Sequence, residues 1–261
     1  MSFLQELATK YKTDKHGLHF YTHIYEKYMQ SKKNENINLL EIGIGGLQDS
    51  QKGGESLRMW NDYFVSGNIY GLDIFKKNLM ISDKVKIYQG SQSSKKDLMK
   101  IINDAKQFDF IVDDGSHVCS DQINSFKILF PYLKDGGYYF VEDIQTSYIL
   151  SDGGDAFNLN NPKTAINYFK SMIDKINFVE FENPYAKQDY YCKNITEIHF
   201  YHNLIVIKKD QNNEQSNLLT NNKKIVHGKN FLKVRKIVKD TKYFLHYLRS
   251  LFCNFLDKLK F

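Results

Sequence analysis

Two acidic motifs, Asp113-Asp114-Gly115-Ser116-His117 and Glu142-Asp143, are the residues of this chain best suited to chemistry. Each follows an apolar run, Phe108-Asp109-Phe110-Ile111-Val112 in the first case and Tyr138-Tyr139-Phe140-Val141 in the second. Such runs predict core strands, so both motifs should leave the same edge of a parallel sheet, the edge where open α/β sheets bind ligands. Carboxylates clustered around a histidine at strand ends point to a reaction centre.

A third strand end carries glycines, in Leu39-Leu40-Glu41-Ile42-Gly43-Ile44-Gly45-Gly46. Glycines there let the backbone approach a nucleotide-like ligand closely. The dinucleotide fingerprint asks for a small residue at position 48, where this chain has Gln48, which disfavours a nicotinamide dehydrogenase. Glu41 lies inside that strand, and Asp73 ends the next apolar segment, Gly71-Leu72-Asp73. A carboxylate in the second position can accept hydrogen bonds from both hydroxyls of an adenosine ribose. The pair indicates an adenosine cofactor carrying a cationic centre.

The elements that must position these residues alternate. Strands are expected near 38–44, 68–74, 85–90, 108–114, 137–143, 177–182 and 196–208, with helices near 55–64, 94–106, 118–132 and 163–175. Strands separated by helical patterns predict a doubly wound α/β fold. The last two strands have no helix between them and are expected to pair as a hairpin, adding one antiparallel edge strand to a seven-stranded, mostly parallel sheet. Ahead of the sheet, the first residues look helical and aromatic, with a turn at Thr13-Asp14-Lys15-His16-Gly17. The organisation expected is an N-terminal helical or lid segment (1–36), a catalytic domain (37–209), a polar linker (210–222) and a basic amphipathic helical tail (223–261).

At 261 residues and 42% hydrophobic, the chain can bury one substantial core. Its net charge of +6 is uneven: residues 223–261 hold 11 Lys/Arg against 2 Asp/Glu, leaving 25 against 28 in residues 1–222. The body therefore carries no basic face for nucleic acid. The three cysteines match no metal-ligand or redox spacing, which fits a reducing cytoplasm. The first residues lack a secretory pattern and no 18-residue apolar run occurs, so a soluble, unexported protein is expected.

Several segments, in order, resemble the metal-dependent sugar O-methyltransferases typified by the enzymes that methylate mycinose on macrolide antibiotics, which use S-adenosylmethionine. They are Tyr11-Lys12-Thr13-Asp14-Lys15 with His19-Phe20-Tyr21-Thr22, Leu40 to Gly46, Gly53-Gly54-Glu55-Ser56-Leu57-Arg58-Met59-Trp60, Ile69-Tyr70-Gly71-Leu72-Asp73-Ile74, Gly90-Ser91-Gln92, Val112 to His117, and Glu142-Asp143-Ile144-Gln145-Thr146-Ser147-Tyr148. The resemblance covers roughly residues 8–155 and fades after Gly154. It implies a Rossmann-like class I methyltransferase fold, with Asp114, Glu142 and Asp143 as magnesium ligands and His117 as general base. It places Glu41, Gly43, Gly45, Asp73, Ser91 and Gln92 around the cofactor. Asp113 has two readings, a cofactor contact or a hydrogen bond to the turn after its strand.

The residue chemistry agrees with that implication. Three adjacent carboxylates raise one another's pKa unless a cation offsets their charge, and hard oxygen ligands with no cysteine favour Mg²⁺, or Mn²⁺, over zinc. Glu142 and Asp143 diverge in a regular strand, so joint ligation requires the backbone to bend there. His19, Tyr21, Arg58, Gln145 and Tyr148 are candidates for the acceptor side, although packing accounts for Tyr21, Tyr25 and Tyr148 as well. The expected acceptor is a sugar or nucleotide sugar. A catechol acceptor and a noncatalytic glycan-binding protein on the same fold are the alternatives. In the tail, Phe231, Val234, Val238, Thr241, Leu245, Leu248, Phe252, Phe255 and Leu259 follow steps of three and four. That stripe among lysines fits self-association or docking on the chain's own domain, or contact through residues 229–261 with the inner face of a membrane.

Overall fold

The computed structural model describes residues 2–181, 183, 185–216 and the tail positions Thr241, Phe244, Leu245, Leu248, Arg249 and Phe252, each of these last being helical. The rest of the expected tail seam, and the linker beyond Ser216, lie outside the described residues.

Seven strands form one sheet: β1 (Asn38–Ile42), β2 (Asn68–Asp73), β3 (Val85–Gln89), β4 (Phe108–Asp113), β5 (Leu133–Val141), β6 (Ile195–Tyr201) and β7 (Leu204–Lys209). Their order is β3-β2-β1-β4-β5-β7-β6. The first five run parallel, and β7 lies antiparallel between β5 and the edge strand β6. The order reverses between β1 and β4, which opens a crevice at the carboxyl ends of those strands. Register aligns the crevice: Ile42 sits beside Leu72 and Asp113, and Asp113 beside Val141. The ladder continues one residue further, through Gly43 N to Leu72 O at 2.8 Å, Asp114 N to Ile42 O at 3.0 Å and Glu142 N to Asp113 O at 3.0 Å.

Helices cover both faces. On one face α4 (Lys95–Ala105), α5 (Cys119–Leu129), α6 (Ala165–Lys170) and α7 (Met172–Ile176) bury Leu98, Ile101, Phe126 and Phe169 against Leu40, Ile42, Ile111, Tyr139 and Val141. On the other, α1 (Phe3–Tyr11), α2 (Thr22–Met29) and α3 (Glu55–Tyr63) bury Leu4, Tyr25, Trp60 and Tyr63 against Leu39, Phe110, Val112 and Phe140. Side chains alternate along a strand, so Glu41 shares the second face with Leu39, and Asp113 shares the first with Ile111.

Three expectations need correction. Residues 177–181 are not a strand: Phe178–Glu180 form a 3₁₀ turn, and the Phe178 and Phe181 rings meet at 5.1 Å. An apolar pair three residues apart is satisfied by such a turn as readily as by a strand face. The apolar run 196–208 is itself the hairpin, folded at Asn203, whose φ of 61° closes the turn. The helical pattern 163–175 divides at Ser171 into α6 and α7. Among the described residues, no helix is long and apolar enough to cross a membrane.

Candidate active site

A cavity of about 650 Å³ opens at the carboxyl ends of β1, β2 and β4. Its floor depends on Gly43. With φ at 79°, this residue passes so close to β4 that a Cβ would lie 2.0 Å from the Asp114 carbonyl oxygen. Gly45, also with positive φ, lines the wall, where a Cβ would meet nothing nearer than 3.9 Å. Asp73 lies at one side, its Oδ2 accepting from Ile44 N at 3.2 Å and its Oδ1 from Phe75 N at 2.8 Å. Ser91 and Gln92 line the same side. The Gln92 amide is fixed, accepting from Ser116 N at 2.7 Å and donating to Asp113 Oδ1 at 3.1 Å.

Two residues expected at the cofactor lie behind the wall. Asp113 is fully buried on the α5 face, accepting from the Ser125 hydroxyl, from Tyr139 at 3.0 Å and from Gln92. Burial pushes its carboxyl up to about 6, against these donors. Its partners lie on α5, on β5 and at Gln92, and it reaches the turn after its strand only through Gln92, which accepts from Ser116 N. Glu41 is fully buried on the opposite face, its Oε2 accepting from Ser56 Oγ at 2.7 Å and its Oε1 lying 3.2 Å from Lys15 Nζ. Strand alternation separates these two acids, pointing them into opposite cores.

Lys15 is the functional residue without a sequence-level role. It enters from the loop between α1 and α2, is wholly buried, and donates to Asp114 Oδ2 at 2.6 Å and to Glu142 Oε1 at 2.7 Å. Tyr25 also donates to Glu142 Oε1. Burial opposes the charge on Lys15, but Asp114, Glu142 and Glu41 outweigh it and hold the ammonium well above the usual lysine range. Burial and Asp114 push Glu142 well up, against the pull of Lys15. The signal that could have found Lys15 is parity: Glu41, Asp114 and Glu142 are in step with Leu39, Val112 and Phe140, so all three face the N-terminal helices and demand a cation there.

At the cavity, Asp114, His117 and Asp143 each offer a ligand atom within 4.8 Å of the other two. His117 Nε2 lies 3.6 Å from Asp143 Oδ2 and 3.9 Å from Asp114 Oδ1. Both His117 and Asp143 occupy the left-handed region, with φ of 57° and 52°, conformations that cost a non-glycine residue about 1–3 kcal/mol. At Asp143 that conformation is the bend which separates it from Glu142. Thr146 Oγ1 ties the two segments, donating to the His117 carbonyl at 2.7 Å and the Asp143 carbonyl at 3.1 Å. Tyr21 donates to Asp143 Oδ1 at 2.9 Å, and His19, stacked on Tyr21 at 4.9 Å, lies 3.8 Å from the same oxygen. Glu142 falls outside this trio, turned inward to Lys15 and Tyr25.

The remaining acceptor-side candidates separate. Arg58 donates to the Gly53 carbonyl at 3.0 Å and holds the loop before α3. Gln145 and Tyr148 lie on the 3₁₀ segment Ile144–Tyr148 after Asp143; Tyr148 is exposed, whereas Gln145 Oε1 is buried without a hydrogen bond. None of these three lines the cavity.

No protein-family model matches the chain. It is 36% identical over 213 residues to the 8-demethyl-8-(2-methoxy-alpha-L-rhamnosyl)-tetracenomycin-C 3'-O-methyltransferase of Streptomyces olivaceus, covering 81% of this chain and 55% of that protein. It is 37% identical over 213 residues to the mycinamicin VI 2''-O-methyltransferase of Micromonospora griseorubida, with 81% and 53% covered. The MycE methyltransferase from the mycinamycin biosynthetic pathway, in complex with Mg and SAH, matches at a TM-score of 0.79 and 36% identity over 82% of this chain and 56% of that one. This chain is a homologue of the sugar O-methyltransferases. Its fold is that of the class I methyltransferases, and the chain spans about half the length of the curated relatives it matches. The same MycE enzyme has also been solved with Mg, SAH and mycinamycin VI together.

Proposed function

We propose that this chain transfers a methyl group from S-adenosylmethionine to a hydroxyl of a sugar, assisted by Mg²⁺, the acceptor being a nucleotide sugar or a surface-glycan precursor. The observation that carries the reading is one cavity with Asp73 on one side and the Asp114, His117 and Asp143 trio on the other. Half-length coverage of relatives that act on antibiotic-borne sugars supports the reaction class and leaves the acceptor open.

The residues present fit both groups. The glycine-lined wall is open at Gly45, and Asp73 has lone pairs left for ribose hydroxyls. Three carboxylates around one ammonium leave surplus negative charge next to the trio, which favours a divalent cation with hard oxygen ligands. When bound, S-adenosylmethionine supplies an electrophilic methyl carbon, and the cation lowers the pKa of a hydroxyl it contacts.

The chain's own residues then do the positioning. Asp114 and Asp143 would hold the cation; Asp114 is fixed through Oδ2 by Lys15, and Asp143 through Oδ1 by Tyr21. His117 Nε2 faces the cavity between them and takes the hydroxyl proton. That role requires the neutral ring to carry its hydrogen on Nδ1, the buried ring nitrogen that lacks a partner. Residues 229–261 supply the contact with a second copy or an anionic membrane surface, and the body acts in the cytoplasm.

The test is transfer of label from S-adenosylmethionine to a panel of nucleotide sugars and catechols, with Mg²⁺ and after EDTA. Metal-dependent labelling of a sugar is expected. Labelling of catechols alone, or sugar labelling indifferent to EDTA, would overturn the reading.

A further inference from the structure

Two sets of outward-facing apolar side chains take no part in the site. One is in the tail, where Phe244, Leu245, Leu248 and Phe252 are helical and between 45% and 62% exposed, so the body does not cover the tail at these positions. At 100° per residue the four fall within an arc of about 100°, one face of a helix. Residues 223–261 also hold 11 Lys/Arg against 2 Asp/Glu, a net charge of +9. The other set borders the crevice. Leu18 and Phe20 are exposed on the loop whose Tyr21 hydroxyl reaches Asp143, while Leu150 and Phe157, the latter 90% exposed, lie on the segment that follows Asp143. Apolar residues scattered singly over a surface need no explanation, but here two segments converge on one carboxylate and both turn apolar side chains outward.

We propose that an anionic bilayer surface is the partner of both sets: the tail lies in the headgroup layer with its apolar face toward the acyl chains, and the rim of the crevice meets the same surface. The inference rests on the reading above for the tail's role as a contact, and it chooses between the partners named there.

Charge makes the choice. Pairing two copies through the tail would set +9 against +9, with only Asp240 and Asp257 in each to offset it. A nucleic acid would engage the lysines but leave the phenylalanines and leucines in water. An anionic bilayer satisfies both, since its headgroups attract Lys and Arg while the acyl boundary receives the apolar face. Neither signal alone gives firm attachment, and the tail carries the two together. Residues 1–222, with 25 Lys/Arg against 28 Asp/Glu, are weakly repelled by such a surface, so the rim makes its contact only while the tail holds the chain there.

The experiment is flotation of the full chain with vesicles of phosphatidylglycerol and phosphatidylethanolamine, and with phosphatidylcholine vesicles as the neutral control. Partition should favour the anionic vesicles by at least about tenfold in about 0.1 M salt and fall by at least about tenfold in about 0.5 M salt. Leu245→Asp with Phe252→Asp, both at exposed positions, should lower it at least about tenfold while the melting temperature stays at the wild-type value. Leu18→Ser with Phe20→Ser, the tail being intact, should lower it by about threefold or more. Equal partition onto the two kinds of vesicle, or unaltered partition in the tail variant, would overturn the docking; unaltered partition in the loop variant would overturn the contact made by the rim. Light scattering that shows a dimer abolished by the tail variant, with no vesicle binding, would assign the face to a second copy instead. Binding of single-stranded RNA in place of vesicles, indifferent to the two aspartates, would assign it to nucleic acid. Flotation needs neither cofactor nor acceptor, so its failure leaves the methyl-transfer reading standing, and failure of label transfer leaves the docking standing.

Discussion

Gly43 and Gly45 stand two residues apart with similar positive φ, yet alanine should be tolerated very differently at the two positions. At either site an alanine is forced into the left-handed region, at a cost of about 1–2 kcal/mol. At Gly45 nothing further is lost, since the added Cβ meets no atom closer than 3.9 Å. At Gly43 the Cβ would start 2.0 Å from the Asp114 carbonyl oxygen, with the carbonyl carbon at 2.7 Å, so the ends of β1 and β4 must separate by more than an ångström. That movement breaks the β1–β4 ladder bond from Asp114 N to Ile42 O, worth about 0.5–1.5 kcal/mol, and strains β1 against β2, to which Gly43 N donates at Leu72 O. Gly43→Ala should therefore cost about 3 kcal/mol or more and Gly45→Ala about 1 kcal/mol, which for a chain of this size separates their melting temperatures by roughly 4–8 °C. Thermal denaturation followed by circular dichroism, confirmed by urea titration, measures both. Equal losses at the two positions would refute the argument that the β1–β4 crossing, rather than positive φ alone, demands glycine at 43.

Three further outcomes follow from the site and its frame. His117→Ala should bind S-adenosylmethionine normally and lose turnover by about 10²–10⁴-fold, whereas Asp73→Ala should lose cofactor affinity; unchanged turnover in the His117 variant would remove it from the mechanism. Tyr21→Phe deletes the hydroxyl that donates to Asp143 Oδ1 and should weaken Mn²⁺ binding by roughly 10–100-fold without unfolding the chain, so unchanged binding would show that Asp143 needs no such brace. At the amino ends of the strands, burial disfavours the Asp109 carboxylate, but Lys134, the Asn38 N–H and Lys32 outweigh it and hold the carboxyl below its ordinary 3.8. A depressed folded-state value means stability present above pH 3.8 and lost as pH falls through the lower value. Asp109→Asn should thus be less stable than wild type near neutral pH, by about 1–3 kcal/mol, with the gap closing under acid; a gap that persists at pH 2 would point to shape rather than charge.

Much of the fold was legible because its signals are local. The runs ending at Asp113 and Val141 are long and apolar enough to be read as core strands, and both motifs do leave one sheet edge. The strand expected at 177–182 misled because Phe178, Val179 and Phe181 form too short an apolar cluster to tell a sheet edge from a tight turn. The hairpin within 196–208 was hidden because its turn at His202-Asn203 interrupts the apolar pattern by only two residues.

Residue identities alone determined that carboxylates, one histidine and a glycine turn would meet at the ends of buried strands, because period-two burial forces a motif that follows a core strand onto the sheet's rim. Only the tertiary structure decided which acids reach the cavity. Asp113 and Glu41 sit on opposite faces, one braced by Ser125 and Tyr139 and the other by Ser56, and neither lines the site. Lys15 lies 99 residues from Asp114 and 127 from Glu142, and no local pattern could pair them. Its position follows from packing α1 and α2 over the sheet face to which Glu41, Asp114 and Glu142 all point, where burying three negative charges requires a positive one among them.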